Sequence, residues 1–259
     1  MSGGITERQP LPKGVAVIAP IVFGAAAAGI WQWVVRAFDI KATVVPAPTD
    51  IWGQFTENFA LIRDFTTHTG WNALRGLLIG AVAGVIGALV AHSVRVIREM
   101  AAPIVVALSV VPIVALGPVL YRLYGGRDDT ARILVAALAV GVPVYINSLR
   151  GLQQVKPVHR ELMHAYSAGA VQKSRIVTLP TATPYIFTGL RIGSSLAVIS
   201  ALVTEYFGGP NDGLGFGISN FAKEGKYALA WACVLGSIIL GLIFYLVTFA
   251  IERWFSRHR

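Results

Sequence analysis

The amino-acid sequence predicts an all-α, polytopic membrane protein with six spanning helices. Three observations predict it. The chain is 55 % hydrophobic and only 14 % charged, against about 25 % charged residues in soluble domains. Its mean hydropathy is +0.64. Its apolar residues also come in runs of roughly the 20 residues that a membrane-spanning helix needs, parted by short segments that collect Gly, Pro and charge. A single soluble core cannot hide this much apolar surface, so the bilayer is the expected solvent.

The first residues are polar and expected to be unstructured, with Arg8 and Lys13 ahead of the first span. No cleavable signal peptide is expected, because the first apolar stretch is of span length and no small-residue cleavage site and soluble domain follow it. That first span is Val15 to about Phe38, with Trp31 and Trp33 toward its far end, where amphipathic rings favour the interface. Thr49 or Asp50 is expected to cap a short surface helix reaching Asn58, after the extended Val45-Pro-Ala-Pro. The second span covers Trp71 to Val94. Its Gly76, Gly80, Gly84 and Ala88 recur every four residues, a ridge that lets helices approach closely in lipid.

The third span, Ala101 to Leu123, is expected to be broken by Pro103, Pro112 and Pro118. Such breaks are tolerated where neighbours satisfy the freed backbone groups. Gly125-Gly-Arg-Asp-Asp reads as a turn. The fourth span is Thr130 to Leu149, the fifth Tyr185 to Phe207, and the sixth Ala228 to Ile251. The Gly-rich segment 208–217 and a short helix to Lys223 connect the last two, and a basic tail follows. Between the fourth and fifth spans lies the longest polar interruption, Glu161 to Pro180. It predicts a helix, a bend at the small residues Ser167 to Ala170, and a second short helix that Pro180 stops, since proline lacks the amide a helix interior uses.

Charge sorting gives the expected orientation. Thirteen of the 22 Lys and Arg residues fall on the side that carries both termini and the 161–180 stretch, clustered near span ends. Cytoplasmic loops collect such residues, so both termini are expected to be cytoplasmic. The formal charge of +9 is explained in this way, and no nucleic-acid partner is implied. The one cysteine, Cys233, excludes an intrachain disulfide.

Enzymatic chemistry finds little support. The five histidines lack metal-ligand spacing, so no metal site is expected, and no phosphate loop ending in Lys-Ser or Lys-Thr is present. Glu205, near the far end of the fifth span, is a candidate functional carboxylate. The alternative is a carboxylate that reaches the interface or pairs with a nearby Arg. Gly193, Ala197, Ala201 and Thr204 or Glu205 share a face of that span, and Ser194, Ser195 and Ser200 add hydroxyls. They either pack closely or line a weakly polar passage. Asn147 and Tyr145 near the end of the fourth span either face the same passage or cap a helix.

The 161–180 stretch resembles the cytoplasmic coupling motif of ATP-binding-cassette importer permeases: EAA, three residues, G, nine residues, I, one residue, LP. Glu161 matches the E, Leu162 and Met163 replace the two alanines, and Ser167 stands at the glycine position. Val177 stands at the isoleucine position, and Leu179-Pro180 matches the final pair. Val45-Pro-Ala-Pro-Thr-Asp-Ile-Trp, Val110-Val-Pro-Ile-Val-Ala-Leu-Gly-Pro, Ile146-Asn-Ser-Leu-Arg-Gly-Leu and Pro184-Tyr-Ile-Phe-Thr-Gly-Leu-Arg-Ile resemble the nitrate, taurine and sulfonate branch, in the expected order.

The resemblance implies a type I importer permease fold in the bacterial inner membrane. It divides the chain into a cytoplasmic tail 1–14, a permease domain 15–252 with its coupling segment at 157–180, and a cytoplasmic tail 253–259. It implies an ATPase-coupling role for Glu161, Leu162, Met163, Ala165, Ser167, Ala168, Gly169, Leu179 and Pro180. A translocation path would draw on Asn147, Ser194, Ser195, Ser200, Thr204 and Glu205. The implied partners are a second permease copy in a homodimer, two cytoplasmic ATPase subunits that hold ATP and Mg, an extracytoplasmic solute-binding protein, and lipid. The chain itself carries no cofactor and catalyses no bond change. The transported solute is expected to be small and polar, of the sulfonate, nitrate or vitamin-precursor class. The competing readings are an ion-coupled secondary carrier or channel working without an ATPase and, behind it, a membrane-embedded enzyme.

Overall fold

The structure is a computed structural model that describes residues 13–112, 115–125 and 128–257. The expected N-terminal tail up to residue 12 and part of the 125–129 turn lie outside the described residues. Within them the chain is helical and has no strand: α1 (Lys13–Ala37), α2 (Pro48–Glu57), α3 (Phe59–Ser93), α4 (Arg95–Val110), α5 (Leu116–Tyr124), α6 (Thr130–Gln153), α7 (Pro157–Ala165), α8 (Ala170–Lys173), α9 (Leu179–Phe207), α10 (Leu214–Lys223) and α11 (Tyr227–Arg257). Five stretches are long and apolar enough to cross a membrane: those of α1, α3, α6, α11 and the run Ala170–Phe207.

The expected third span is a broken pair, α4 and α5, each too short to cross alone, but of its three prolines only Pro112 lies at the break: α4 runs through Pro103 and α5 through Pro118, contrary to the expectation. Val111, which precedes Pro112, is extended at φ −60° and ψ 126°, as a residue before proline prefers. The second, fourth and sixth spans run further than expected, because flanking polar residues continue the same helices. The basic stretch from Arg253 is helical as far as Arg257. Thr49 and Asp50 lie inside the first turn of α2, whose N-cap is Ala47 with no side-chain bond. They face α1 instead: Arg36 pairs with Asp50 at 2.8 Å, and Gln32 bonds both the amide and the hydroxyl of Thr49.

α6 lies between α3 and α9 and packs along both. On one side the predicted glycine ridge is pressed against it. A Cβ on Gly76 would overlap the Cβ of Ala136, one on Gly80 the carbonyl of Ala137, and one on Gly84 would sit 2.8 Å from the carbonyl of Gly141. On the other side, a Cβ on Gly189 would lie 3.0 Å from Val144 Cα, and one on Gly193 would lie 3.0 Å from Val140 Cγ1. Without such small residues the backbones could not approach this far, and close packing is what holds helices together in lipid. α10 and α11 close the far side of α9. The apolar core runs from Phe65 and Leu77 through Val140 and Val144 to Ala197, Ala201 and Leu214.

Candidate functional site

α6 and α9 run between two polar regions. The 24 residues of α6 measure about 36 Å at 1.5 Å per residue, so its ends hold separate sites. At one end sits Arg132, at the other the elbow of α7 and α8.

At the Arg132 end the polar atoms are enclosed and bonded. Glu205 is 2 % exposed and Arg132 fully buried. The Glu205 carboxylate accepts from the Thr69 hydroxyl at 2.8 Å and from the Gly215 amide at 3.1 Å, and lies 3.5 Å from Arg132 Nη1. The guanidinium then spreads over the connecting segment. Its Nη2 donates at 2.8 Å to both the Pro210 carbonyl and Asp212 Oδ1, its Nε donates to the Tyr121 hydroxyl at 3.3 Å, and Nη1 lies 3.4 Å from Asp129. Thr69 also accepts from the Leu214 amide at 2.9 Å. The Arg132–Glu205 pair, with Thr69, therefore joins α3, α5, α6, α9 and the start of α10. The Thr130 hydroxyl and amide, both donating to Asp128, hold that exposed carboxyl below its ordinary range at the head of α6.

The glycines of segment 208–217 now have a reason. A Cβ on Gly213 would strike the Glu205 carboxylate, and one on Gly215 the Leu202 carbonyl. The segment is glycine-rich because it lies directly on the end of α9.

The candidate path residues distribute unevenly. Ser194 is buried, donating to the Arg191 carbonyl at 2.8 Å and meeting Thr248 Oγ1 at 3.2 Å. Thr204 is buried and donates to the Ser200 carbonyl at 2.6 Å. Ser200 is buried beside it. Packing inside one chain accounts for these three, and ion pairing, the alternative kept open for Glu205, accounts for that carboxylate. Asn147 and Ser195 stay half-buried. Asn147 bonds the Pro143 carbonyl of its own helix, while Ser195 lines an apolar groove of about 350 Å³ beside α10 and α11.

The elbow end is built differently. Pro157 opens α7 at a position where its missing amide leaves no bond unmade. Every residue of α7 is exposed except the half-buried Met163. Val158, Leu162 and, just past its end, Tyr166 follow each other at helical spacing and are 65, 49 and 73 % exposed. The helix ends at Ser167, which has φ +48°. The Ser167 amide donates to the His164 carbonyl at 2.9 Å and the Ala168 amide to the Met163 carbonyl at 3.0 Å, the pair of bonds that closes a helix on a left-handed residue. That residue is the one at the motif's glycine position. Glycine takes this backbone without strain, whereas another L-residue gives up about 1 kcal/mol.

Pro180 does not stop a helix, contrary to the sequence-based expectation. After the extended Gly169 the chain runs as α8, then a π turn over Ser174–Thr178, then α9 without interruption, with Leu179-Pro180 as its first residues. The Leu179 amide reaches back to the Ser174 carbonyl, and the Thr181 hydroxyl takes up the Val177 carbonyl at 2.7 Å. The wider π register thus absorbs the amide that proline lacks. Glu161 and Ala165 lie exposed on α7, Ala168 is buried under the bend, and Gly169 is exposed.

Sequence reasoning picked out Glu205 and the elbow but missed Arg132, Thr69 and Asp212. Arg132 sits near the start of an apolar helix and reads there as one flanking charge among several. The available signal was the need of a carboxylate within a span for a cation.

Three comparisons bear on the chain. The family described as "Binding-protein-dependent transport system inner membrane component" matches residues 76–259. A probable ABC transporter permease protein of Haemophilus influenzae is 26 % identical, over 89 % of this chain and 94 % of the relative. A riboflavin transport system permease protein of Chloroflexus aurantiacus is 29 % identical over 88 % and 85 %. A putative aliphatic sulfonates transport permease protein of Bacillus subtilis is 29 % identical over 91 % and 83 %. Among solved structures, an amino acid ABC transporter with histidines matches with a TM-score of 0.62 at 16 % identity, covering 79 % of this chain and 97 % of that one, a likeness of fold.

Proposed function

The chain belongs to the family of binding-protein-dependent transport system inner membrane components, and from that premise we propose how this permease subunit of an ABC importer is driven. α7 docks its exposed Val158, Leu162 and Tyr166 into a partner ATPase subunit, which holds ATP and Mg. Motion of that subunit moves α7, and the unbroken run from α8 through the π turn carries the displacement into α9. The observation that supports this reading is the connection: the largely exposed α7 joins α8 through the single four-residue bend 166–169, which its own backbone hydrogen bonds close, and from α8 the helix runs unbroken into α9. ATP can shift an inward-open to outward-open equilibrium only through unequal affinity for the two states, and a rigid connection lets the ATPase discriminate between them.

The proposed assembly has two permease copies, two ATPase subunits and an extracytoplasmic solute-binding protein. Both termini and the elbow face the cytoplasm, and the Arg132 end faces the binding protein. The solute passage forms where partly exposed residues such as Asn147 and Ser195 meet the second copy. Relatives named for riboflavin, aliphatic sulfonates, nitrate and taurine support a small polar solute. An ion-coupled carrier needs a carboxylate free to change partners, and Glu205 is instead held by Arg132, Thr69 and Gly215.

The test is co-purification with the ATPase subunit followed by uptake in proteoliposomes. ATP-dependent uptake is expected, and replacing Glu161 or Ser167 with Trp should abolish it while leaving the spans folded. Uptake driven by an ion gradient without ATP would favour the carrier reading.

A further inference from the structure

We propose that the open cavity lined by α3, α4, α6, α7, α8 and the π turn binds a phosphate-type oxyanion. The cavity measures about 490 Å³ and lies beside the elbow. That is ample for a phosphate group, since water occupies about 30 Å³ in the liquid, and it falls within the usual range of small-molecule sites. Its charged and titratable lining is one-sided: His92, Arg98, His159, Arg160 and Lys173, with Gln153 and Thr178 as neutral polar groups, and no carboxylate.

Like charges do not gather around a cavity without a reason, because each pays for the others' proximity. At the other end of the molecule Arg132 has three carboxylates within 3.5 Å. Among the described residues Arg98, Arg160 and Lys173 have none within ion-pair distance. An oxyanion in the cavity would accept from the guanidinium groups of Arg98 and Arg160 and from the Lys173 ammonium. Arginine suits such a ligand because its planar fork of donors fits the oxygens of phosphate.

The lining comes from both sides of the elbow. Arg160 is on α7 and Lys173 on α8, whereas His92 ends α3 and Arg98 lies in the first turn of α4. A bound anion therefore ties the lever to the α3–α4 corner and restrains its swing. The same chemistry is offered by a free phosphate and by the headgroup of an acidic phospholipid. The proposal stands on the cavity alone and does not depend on an ATPase docking at α7.

The test uses the purified full chain without any ATPase, in two arms. In detergent, thermal unfolding is followed against inorganic phosphate, with chloride at equal ionic strength as reference. In nanodiscs of phosphatidylcholine with phosphatidylglycerol, native mass spectrometry counts retained acidic lipid. A saturable rise in Tm with phosphate alone assigns the site to a free anion, a retained phosphatidylglycerol alone assigns it to a headgroup, and both together show one site serving either. The Arg98→Gln/Arg160→Gln double variant should weaken the effect by about tenfold or more, since a hydrogen bond to a charged group is worth that much. Lys226→Gln, at the opposite end of the molecule, should leave it unchanged. Should the double variant misfold by circular dichroism, Arg160→Gln alone, on an exposed helix, gives the same comparison. No saturable effect in either arm, or an equal loss in Lys226→Gln, overturns the proposal.

Discussion

The two ends of the α6–α9 pair carry similar side chains in opposite conditions. At one end Arg132 and Glu205 are sealed from solvent and every polar contact is made inside the chain. At the other, cations line an open cavity without carboxylates and apolar side chains stand exposed on a short helix. The difference teaches how to separate structure from contact. Charges that satisfy each other in the interior hold the fold. The cations at the elbow lack a carboxylate partner among the described residues and its apolar side chains stand exposed, which is what the proposed docking and anion binding rest on.

The comparison breaks most visibly at Arg132. Arg132→Ala leaves Glu205 buried without its cation, and losing one partner of a buried pair costs about 3–5 kcal/mol. Denaturant unfolding in detergent should show that loss, and Glu205→Ala should show a similar one. A double-mutant cycle of the two should then be strongly non-additive. Next comes the helix interface between the two ends. Gly80→Val drives a side chain into the Ala137 carbonyl and should cost about 1–3 kcal/mol by the same assay.

At the elbow the effects on stability become small and the effects on transport large. Ser167→Gly should relieve about 1 kcal/mol of left-handed strain. Exchange of the Ala168 amide, bonded to Met163, should slow by up to about fivefold, and global stability should rise by no more than that same ~1 kcal/mol. Leu162→Asp should shift global stability by less than about 0.5 kcal/mol, as surface changes do, yet reduce ATP-driven uptake at least tenfold. A stability loss at Leu162 matching that at Arg132 would erase the distinction between the two ends.

How far the sequence could be read follows from the same contrast. The ridge of Gly76, Gly80 and Gly84 was legible because a four-residue period is a property of one helix. The break in the third span was legible only in part: it falls at Pro112, but Pro103 and Pro118, which carry the same local signal, lie inside α4 and α5. Ser167 was singled out by motif spacing, and its left-handed backbone explains why that position favours glycine. The Arg132–Glu205 pair was not legible, since 73 residues separate its members and only tertiary packing joins them. Pro180 was misread because the rule against proline inside a helix assumes α register, and the π turn before it changes that register. The cationic cavity was illegible for a similar reason: His92, Arg98, Arg160 and Lys173 come from four separate helices.

The most direct measurement of the account is cross-linking from the elbow to the ATPase. The one natural cysteine, Cys233, is buried, so a Leu162→Cys variant offers a single reactive thiol. In membranes holding the assembled transporter, a short reagent that joins a thiol to an amine should link Leu162→Cys to a lysine of the ATPase subunit. Lys226→Cys, at the opposite end, should give no such product. A cross-link from Lys226→Cys and none from Leu162→Cys would contradict the claim that α7 is the lever.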